Sequence, residues 1–268
     1  MSEIFNDKTT AEIDAKLHRD ILKHNSNIEK FTIGLVILLM ILFRGWIFYW
    51  LKFGVAVPTS FSNESIELLK EPVMVSYSPS VQKRKIFEYK SIIKNDVSAQ
   101  LIPQAHYEIS GRVVLRNNDI YVGKYFDSVA AYNLGLTWGK TISEPKFFKK
   151  YLDAYDDKDH FSGMRNIYWR WNSFIPLQSD YIQSHISQIH IIPANQNILA
   201  ALLKLKKFNE VKIGGELVDV NFKNSEGSQP ISYYTSLSTK DLGTTGRGSG
   251  SSEIMYVTTV QIGKFIYK

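Results

Sequence analysis

The sequence predicts an α+β, β-rich chain: a single N-terminal transmembrane helix, then one mostly antiparallel β domain, barrel- or sandwich-like, with two short helices. Three observations carry that expectation. An apolar run, FTIGLVILLMILFRGWIFYWLKF, occupies residues 31–53. Beyond Glu71 the chain is a series of short segments rich in β-branched and aromatic residues, with partial two-residue alternation. Helix-start signals followed by helical spacing recur there only around Ser143 and Asn195. Many short strands suit a small barrel or sandwich, which closes or packs its own edges.

Residues 1–30 are polar. Thr9 or Thr10 ahead of Glu12 is a helix-start signal, and Ile13, Leu17, Ile21 and Leu22 recur at helical spacing. A short amphipathic helix and a partly folded tail are both compatible with this pattern. Residues 31–52 come next. A helix rises about 1.5 Å per residue, so ~20 residues cross a hydrocarbon core ~30 Å thick. Arg44 lies about two turns before Lys52, close enough to the end to snorkel to the interface. Trp46 and Trp50 are expected in the headgroup belt. Lys16, Arg19, Lys23 and Lys30 precede the run, against Lys52 and Lys70 after it. That bias places the N-terminus in the cytoplasm and the large domain in the periplasm, on a single-pass inner-membrane anchor. A cleaved signal peptide fits poorly, because a long polar stretch precedes the apolar run.

Residues 53–71 read as a tether and 72–268 as the β-rich domain. Strands are expected at 73–78, 85–90, 107–116 and 120–126, the last two joined as a hairpin through the turn RNND. The stretch 128–155 breaks the pattern, and Ser143 with Pro145 marks a helix start within it. Strand character returns with Trp169 and Trp171 on one face, then at 184–194, ending near Pro193. Asn195 caps a helix whose Ile198, Leu202 and Leu205 line one side. A strand or hairpin interrupted at Gly214–Gly215, a strand in QPISYYTSLS, a glycine-rich loop and a closing strand complete the chain.

The 32 Lys/Arg exceed the 26 Asp/Glu by only six over 268 residues. A nucleic-acid binder concentrates its basic residues more densely, so no nucleic-acid partner is expected. The absence of cysteine excludes disulfides, Cys-ligated metals and thiol nucleophiles. It is compatible with the cytosol and with an oxidising compartment alike.

His185 and His190 are the most tempting chemical pair. Five apart, they fall on opposite faces of a strand. They lack the four-residue helical spacing of a zinc protease pair. Each reads as a structural hydrogen-bonder at a core edge, with acid–base catalysis as the sharper alternative. The acidic DAYDDKDH (153–160) lacks the glycine and the late glutamate of a calcium loop, and no metal is expected. GTTGRGSG (243–250), with Lys240 and Arg247, offers amides and cations to an anion. It lacks the Lys-Ser/Thr ending of a phosphate loop and reads as an inter-strand loop. GRGSG has glycine where a nucleophile elbow needs serine. Trp169, Trp171, Tyr233 and Tyr234 are candidates for a sugar-stacking platform or, more simply, for the core. His185, His190, Trp138, Lys240 and Arg247 are the candidate functional surface, and no cofactor is expected.

EISGRVV (108–114), LGLTWG (134–139), HISQIHIIPA (185–194) and IGGELVDV (213–220) together resemble a group of uncharacterised bacterial membrane-anchored proteins. In that group a GRV strand, an LGWG-like stretch, a His-x4-His-x-IPA stretch and a G-x-LV strand follow in the same order. LGLTWG departs from the pattern in being longer than LGWG. The resemblance implies an anchored bacterial domain built around these segments and carries no known activity.

The expected function is a non-catalytic binding or scaffolding component of an envelope assembly, its partners the lipid bilayer and other proteins. The alternatives are an envelope hydrolase using His185 or His190, and a cytoplasmic-facing regulatory domain that binds an anionic ligand through the glycine-rich loop.

Overall fold

A computed structural model describes residues 16, 30–44, 54–94, 97–117, 126, 128–130, 132–156, 167–222, 231–237 and 253–268. The chain divides into two compact units, Met1–Gly54 and Val55–Lys268.

In the first unit, helix α1 covers residues 30–44. Among the described residues no helix is long and apolar enough to cross a membrane. This corrects the expectation of a transmembrane helix over 31–52, and with it the single-pass inner-membrane placement with a periplasmic domain. Arg44 is the last described residue of α1. Trp46 and Trp50, the expected membrane belt, lie outside the described residues.

The second unit contains β1 (Ser60–Phe61), β2 (Val73–Ser76), α2 (Pro79–Lys85), β3 (Phe87–Lys90), β4 (Ser98–Asn117), β5 (Tyr132–Thr137), α3 (Pro145–Tyr151) and β6 (Leu152–Asp156). It continues with β7 (Ile167–Trp171), α4 (Ser179–Gln183), β8 (Ile186–Pro193), α5 (Gln196–Leu203), β9 (Glu210–Phe222), β10 (Ile231–Tyr233), β11 (Glu253–Ile262) and β12 (Phe265–Tyr267).

Five of these strands form a closed ring. β4 pairs with β5, β5 with β8, β8 with β11, β11 with β9, and β9 with β4 again. Only β8 and β11 run parallel. Counted along the chain, the ring order is 1-2-3-5-4-1, with α5 between the third and fourth strands. This is the plan of an OB-type barrel, a five-stranded Greek-key closure.

The long β4 serves two neighbours. Gln100–Arg112 pairs with β9 and Arg112–Asn117 with β5. Gly111 sits at that corner, where an added Cβ would lie 3.1 Å from the Leu136 Cβ. Inward positions fill the barrel: Tyr107 and Ile109 from β4, Tyr132, Leu134 and Leu136 from β5, and Ile189 and Ile191 from β8. Ile213 and Leu217 from β9 and Met255, Val257 and Val260 from β11 complete the ring. Asn195 Oδ1 accepts from Ile198 N–H (3.0 Å) and starts α5 as expected. Ile198, Ala201 and Leu202 of that helix close one end of the core, and Tyr132 Oη donates to Leu202 O (2.8 Å).

Two further cores lie outside the barrel. The connection from β5 to β8 carries α3, the β6–β7 hairpin and α4. It packs Ile142, Phe148, Ile167 and Ile182 onto Val114 and Ile186 of the barrel. On the other side Tyr89, Leu101, Val220 and Phe222 meet Ile192 and Ile254. A bulge between Pro103 and Ala105 accounts for the change of face. Leu101 and Ala105, four apart, would share one face of a regular strand, yet Leu101 joins the outer core and Ala105 points into the barrel.

Residues 55–71 lie along the barrel. β1 pairs with β12, and the Asn197 amide brackets Val57, accepting from its N–H (2.7 Å) and donating to its carbonyl (3.0 Å). Lys204 Nζ donates to Ala56 O, and Gly139 N–H donates to Leu68 O. The expected strand at 120–126 lies outside the described residues except for Phe126. Gly214–Gly215 does not interrupt β9, and the closing strand is a hairpin turned at Gly263 (φ 56°).

Gly215 is dictated by close approach. A Cβ there would stand 2.0 Å from the Tyr256 carbonyl oxygen, beside the β11 bulge between Val257 and Thr259. Gly215→Ala is expected to cost about 1–3 kcal/mol in urea unfolding, the range for forcing extra volume into a packed interior. Gly214→Ala, whose nearest added contact is Thr259 Cβ at 3.9 Å, is expected to leave the midpoint unlowered.

Candidate functional site

The two histidines have different surroundings. His190 lies on the outward face of β8 and is 1% exposed. Its ring sits in a chain of oriented hydrogen bonds. Ile167 N–H donates to Gln188 Oε1 (2.8 Å), Gln188 Nε2 donates to His190 Nε2 (3.2 Å), and His190 Nδ1–H donates to Asn133 Oδ1 (2.5 Å). Phe126 packs edge-on against the ring, with centroids 5.3 Å apart. Burial pushes the imidazole down to about 3. A second proton on Nε2 would also face the Gln188 amide donor. His190 is therefore held neutral, with both nitrogens committed, and has no proton to exchange with a substrate.

His185 immediately precedes β8 and is stacked by Tyr181 of α4, with ring centroids 3.9 Å apart. Its Nδ1–H donates to Tyr181 O (2.7 Å), and its Nε2 faces Glu71 Oε1 at 3.5 Å. The other Glu71 oxygen accepts from Trp138 Nε1 (3.2 Å), and the Trp138 and His185 rings lie 5.9 Å apart. Gly139 (φ 85°) makes this packing possible, since a Cβ would fall 2.7 Å from both His185 Cδ2 and Tyr181 Oη. Trp138 and His185, both singled out from the sequence, are thus neighbours around one carboxylate. Glu71 and Tyr181 carried no sequence signal, because their proximity is created by the fold.

Ser184 Oγ lies 2.9 Å from His185 Nδ1, so serine, imidazole and carboxylate are adjacent. They do not form a working triad. The nitrogen beside the serine carries the proton bonded to Tyr181 O, and the serine hydroxyl donates to the same carbonyl (3.0 Å). No general base faces the nucleophile. The cluster ties the segment before β2 to the end of the barrel.

Inside the barrel the pairing register turns Ser187 and Glu253 inward. Ser187 Oγ donates to Glu253 Oε2 (2.8 Å). Burial first, then the charges of Glu253 and Glu71, push the nearby Tyr107 phenol well up.

The aromatic platform is not assembled. Trp169 and Trp171 pack in the core under the β6–β7 hairpin, while Tyr233 packs with Phe126 and Phe222 in the other outer core. Lys240, Arg247 and the glycine-rich loop lie outside the described residues. Among the described residues, no three His, Asp or Glu side chains are grouped to hold a metal ion.

Among the described residues of the second unit, one outer wall of the barrel remains open. Across β2, β4, β9 and β11 the register aligns Val73, Glu108, Gly214 and Thr259 in one row and Val75, His106 and Glu216 in the next. A cavity of about 250 Å³ lies over Gly214, between His106, Glu108, Lys212, Thr258, Thr259 and Lys268. The second unit thus has the plan of an OB-type barrel, with one platform covered and one wall open among the described residues. The chain matches no protein-family model, no curated protein and no solved structure.

The His190 network implies a sign for the pH dependence of stability. Below the ordinary histidine pKa of about 6.5, the unfolded chain takes up a proton that the folded chain refuses until about pH 3. Stability therefore falls as the pH drops through this window, by about 1.4 kcal/mol per pH unit from this group. His190→Gln keeps one donor and one acceptor and is expected to remove that contribution. Urea unfolding of both proteins at pH 7 and pH 4 measures the difference.

Proposed function

We propose that the chain is a non-catalytic binding module that docks a protein partner on the wall formed by β2, β4, β9 and β11. The observation that carries this reading is the state of the opposite face. In OB-type barrels the face of the second and third strands, with the adjoining loops, takes up oligonucleotides and oligosaccharides. Here those strands are β5 and β8, and the chain's own insertion covers them. Gln188 and His190 are 2% and 1% exposed, and the Gln188 side chain bonds to the backbone of β7. Gly135 lies under Ile167 and Trp169, whose side-chain atoms would stand 3.3 and 3.5 Å from an added Cβ. No base or sugar can reach that platform while the insertion is in place.

Two features favour protein recognition over chemistry. Neither histidine has a free nitrogen beside a nucleophile. The open wall carries Val73 and Val75, 39% and 56% exposed, next to charged groups of both signs. Apolar surface framed by polar residues is the usual make-up of a protein-binding patch. The four segments that resemble the bacterial group fall largely on β4, β5, β8 and β9. On this reading, what they share is the barrel itself, with no catalytic site.

The test is site-specific photo-cross-linking in the cells that make the protein. Benzoylphenylalanine replaces Val75 or Thr258 on the open wall, or Phe174 on the insertion, where the native side chain is 86% exposed. Discrete adducts of one size from both wall positions, and none from Phe174, are the expected result. Adducts from Phe174 alone, or binding of single-stranded oligonucleotides or oligosaccharides by the purified protein, would overturn the reading.

A further inference from the structure

We infer that the trough over Gly214 is a carboxylate subsite, which receives an acidic side chain from the docked partner while an aliphatic residue of the same segment rests on Val73 and Val75. The inference rests on the reading of this wall as a protein-docking surface.

The trough exists because a side chain is missing. Gly214 stands in the row Val73, Glu108, Gly214, Thr259, where its neighbours project outward side by side. The fold does not require a glycine there. Its φ is ordinary for a strand, and the nearest atom to an added Cβ is Thr259 Cβ at 3.9 Å. Glycine inside a strand is destabilising relative to alanine. Gly215 next to it has a steric reason to be glycine, and Gly214 has none but the open space above it. A volume of about 250 Å³ holds one side chain. It falls below the range of about 300–1,000 Å³ usual for small-molecule pockets.

The lining selects an anion. Glu108 is already engaged by Lys212 Nζ at 2.9 Å. Glu216, in the next row, accepts from Tyr77 Oη (2.6 Å) and pairs with Lys85 (3.4 Å). Among the described residues the Lys268 ammonium, the His106 ring and the Thr259 hydroxyl have no partner. Gln261, also in the lining, spends its amide N–H on the Glu64 and Gly263 carbonyls, so among the described lining residues Lys268 is the cation without an acidic partner. A carboxylate entering it can accept from Lys268 and Thr259 and share Lys212 with Glu108, the charge-assisted type of hydrogen bond.

Geometry also fixes the spacing of the partner's residues. From Gly214 on β9 to Val73 on β2 is two strand spacings, about 10 Å. A polyproline II segment covers that distance in three residues and returns its side chains to the same side. The recognised element is an aliphatic residue and a carboxylate three positions apart.

The experiment uses the full chain, labelled with ¹⁵N, and two probes: acetyl-Val-Pro-Pro-Glu-amide and the same peptide ending in Gln-amide. The expected result is saturable movement of the His106, Gly214 and Thr259 amide signals with the Glu peptide, at a Kd of order 1 mM. The Gln peptide and the Gly214→Val variant are each expected to weaken binding at least about tenfold, with the variant's unfolding midpoint not lowered. Equal shifts from both peptides, unaltered binding by Gly214→Val, or no saturation by about 10 mM would overturn the subsite. The cross-linking at Val75 and Thr258 reports separately on the docking wall. Adducts there without peptide binding reject the subsite alone, and absent adducts reject the wall.

Discussion

The second unit depends on one constraint: β11 must pair along both of its edges. Met255 faces Ile191 of β8 in parallel register and Leu217 of β9 in antiparallel register. Without those two seams, β4, β5, β8 and β9 form an open, strongly curved sheet with its interior exposed on one side. Closure sets the other local features. Gly215 is needed because β9 and β11 approach too closely for a side chain, and the β11 bulge relieves the same seam. Gly111 lets β4 pass from one neighbour to the next. A barrel that closes on itself hides its edges and can carry large insertions on its outer faces.

The insertion between β5 and β8 determines which faces of the barrel are exposed. It replaces an exposed platform with a third core and gives the polar groups of β8 fixed partners. Asn133, Gln188 and His190 would be ready hydrogen-bonding groups on an open face. Under the hairpin they are saturated, and the histidine is desolvated. The wall that the insertion leaves uncovered carries two valines, a glycine and several charged groups in adjacent rows.

Much of the strand content was legible in the sequence, because alternation in β7, β8 and β9 and the Asn195 cap are local signals. β5 was not. YNLGLT alternates apolar with other residues over only six positions, and its Asn133 and Gly135 are residue types depleted in strands. α2 and α4 are too short to display a periodic face. Ring closure was also hidden, since pairing between β8 and β11 joins residues more than sixty apart. The apolar run at 31–53 had the composition of a membrane span, yet among the described residues no helix is long and apolar enough to cross a membrane. Of the candidate site, Trp138 and His185 were picked out, but the carboxylate between them comes from a segment read as a tether. His190 was attractive for its residue type and proved inert because of its surroundings. Gly214 looked like a break in a strand, and only its register beside Glu108 and Thr259 shows it as a gap in a row of side chains.

The interrupted border of β4 has a consequence for how the molecule behaves in crowded company. β2 and β3 are four residues each, and α2 lies between them, presenting Lys83, Arg84 and Lys85 to solvent. An unbroken strand bearing Val73, Val75 and Phe87 would offer a long, sticky template to any neighbouring chain. Split in two by a helix carrying three positive charges, it offers too few consecutive amides for a second copy to zip onto, and it repels that copy by like charge. Neighbouring copies are therefore kept from fusing through their sheets.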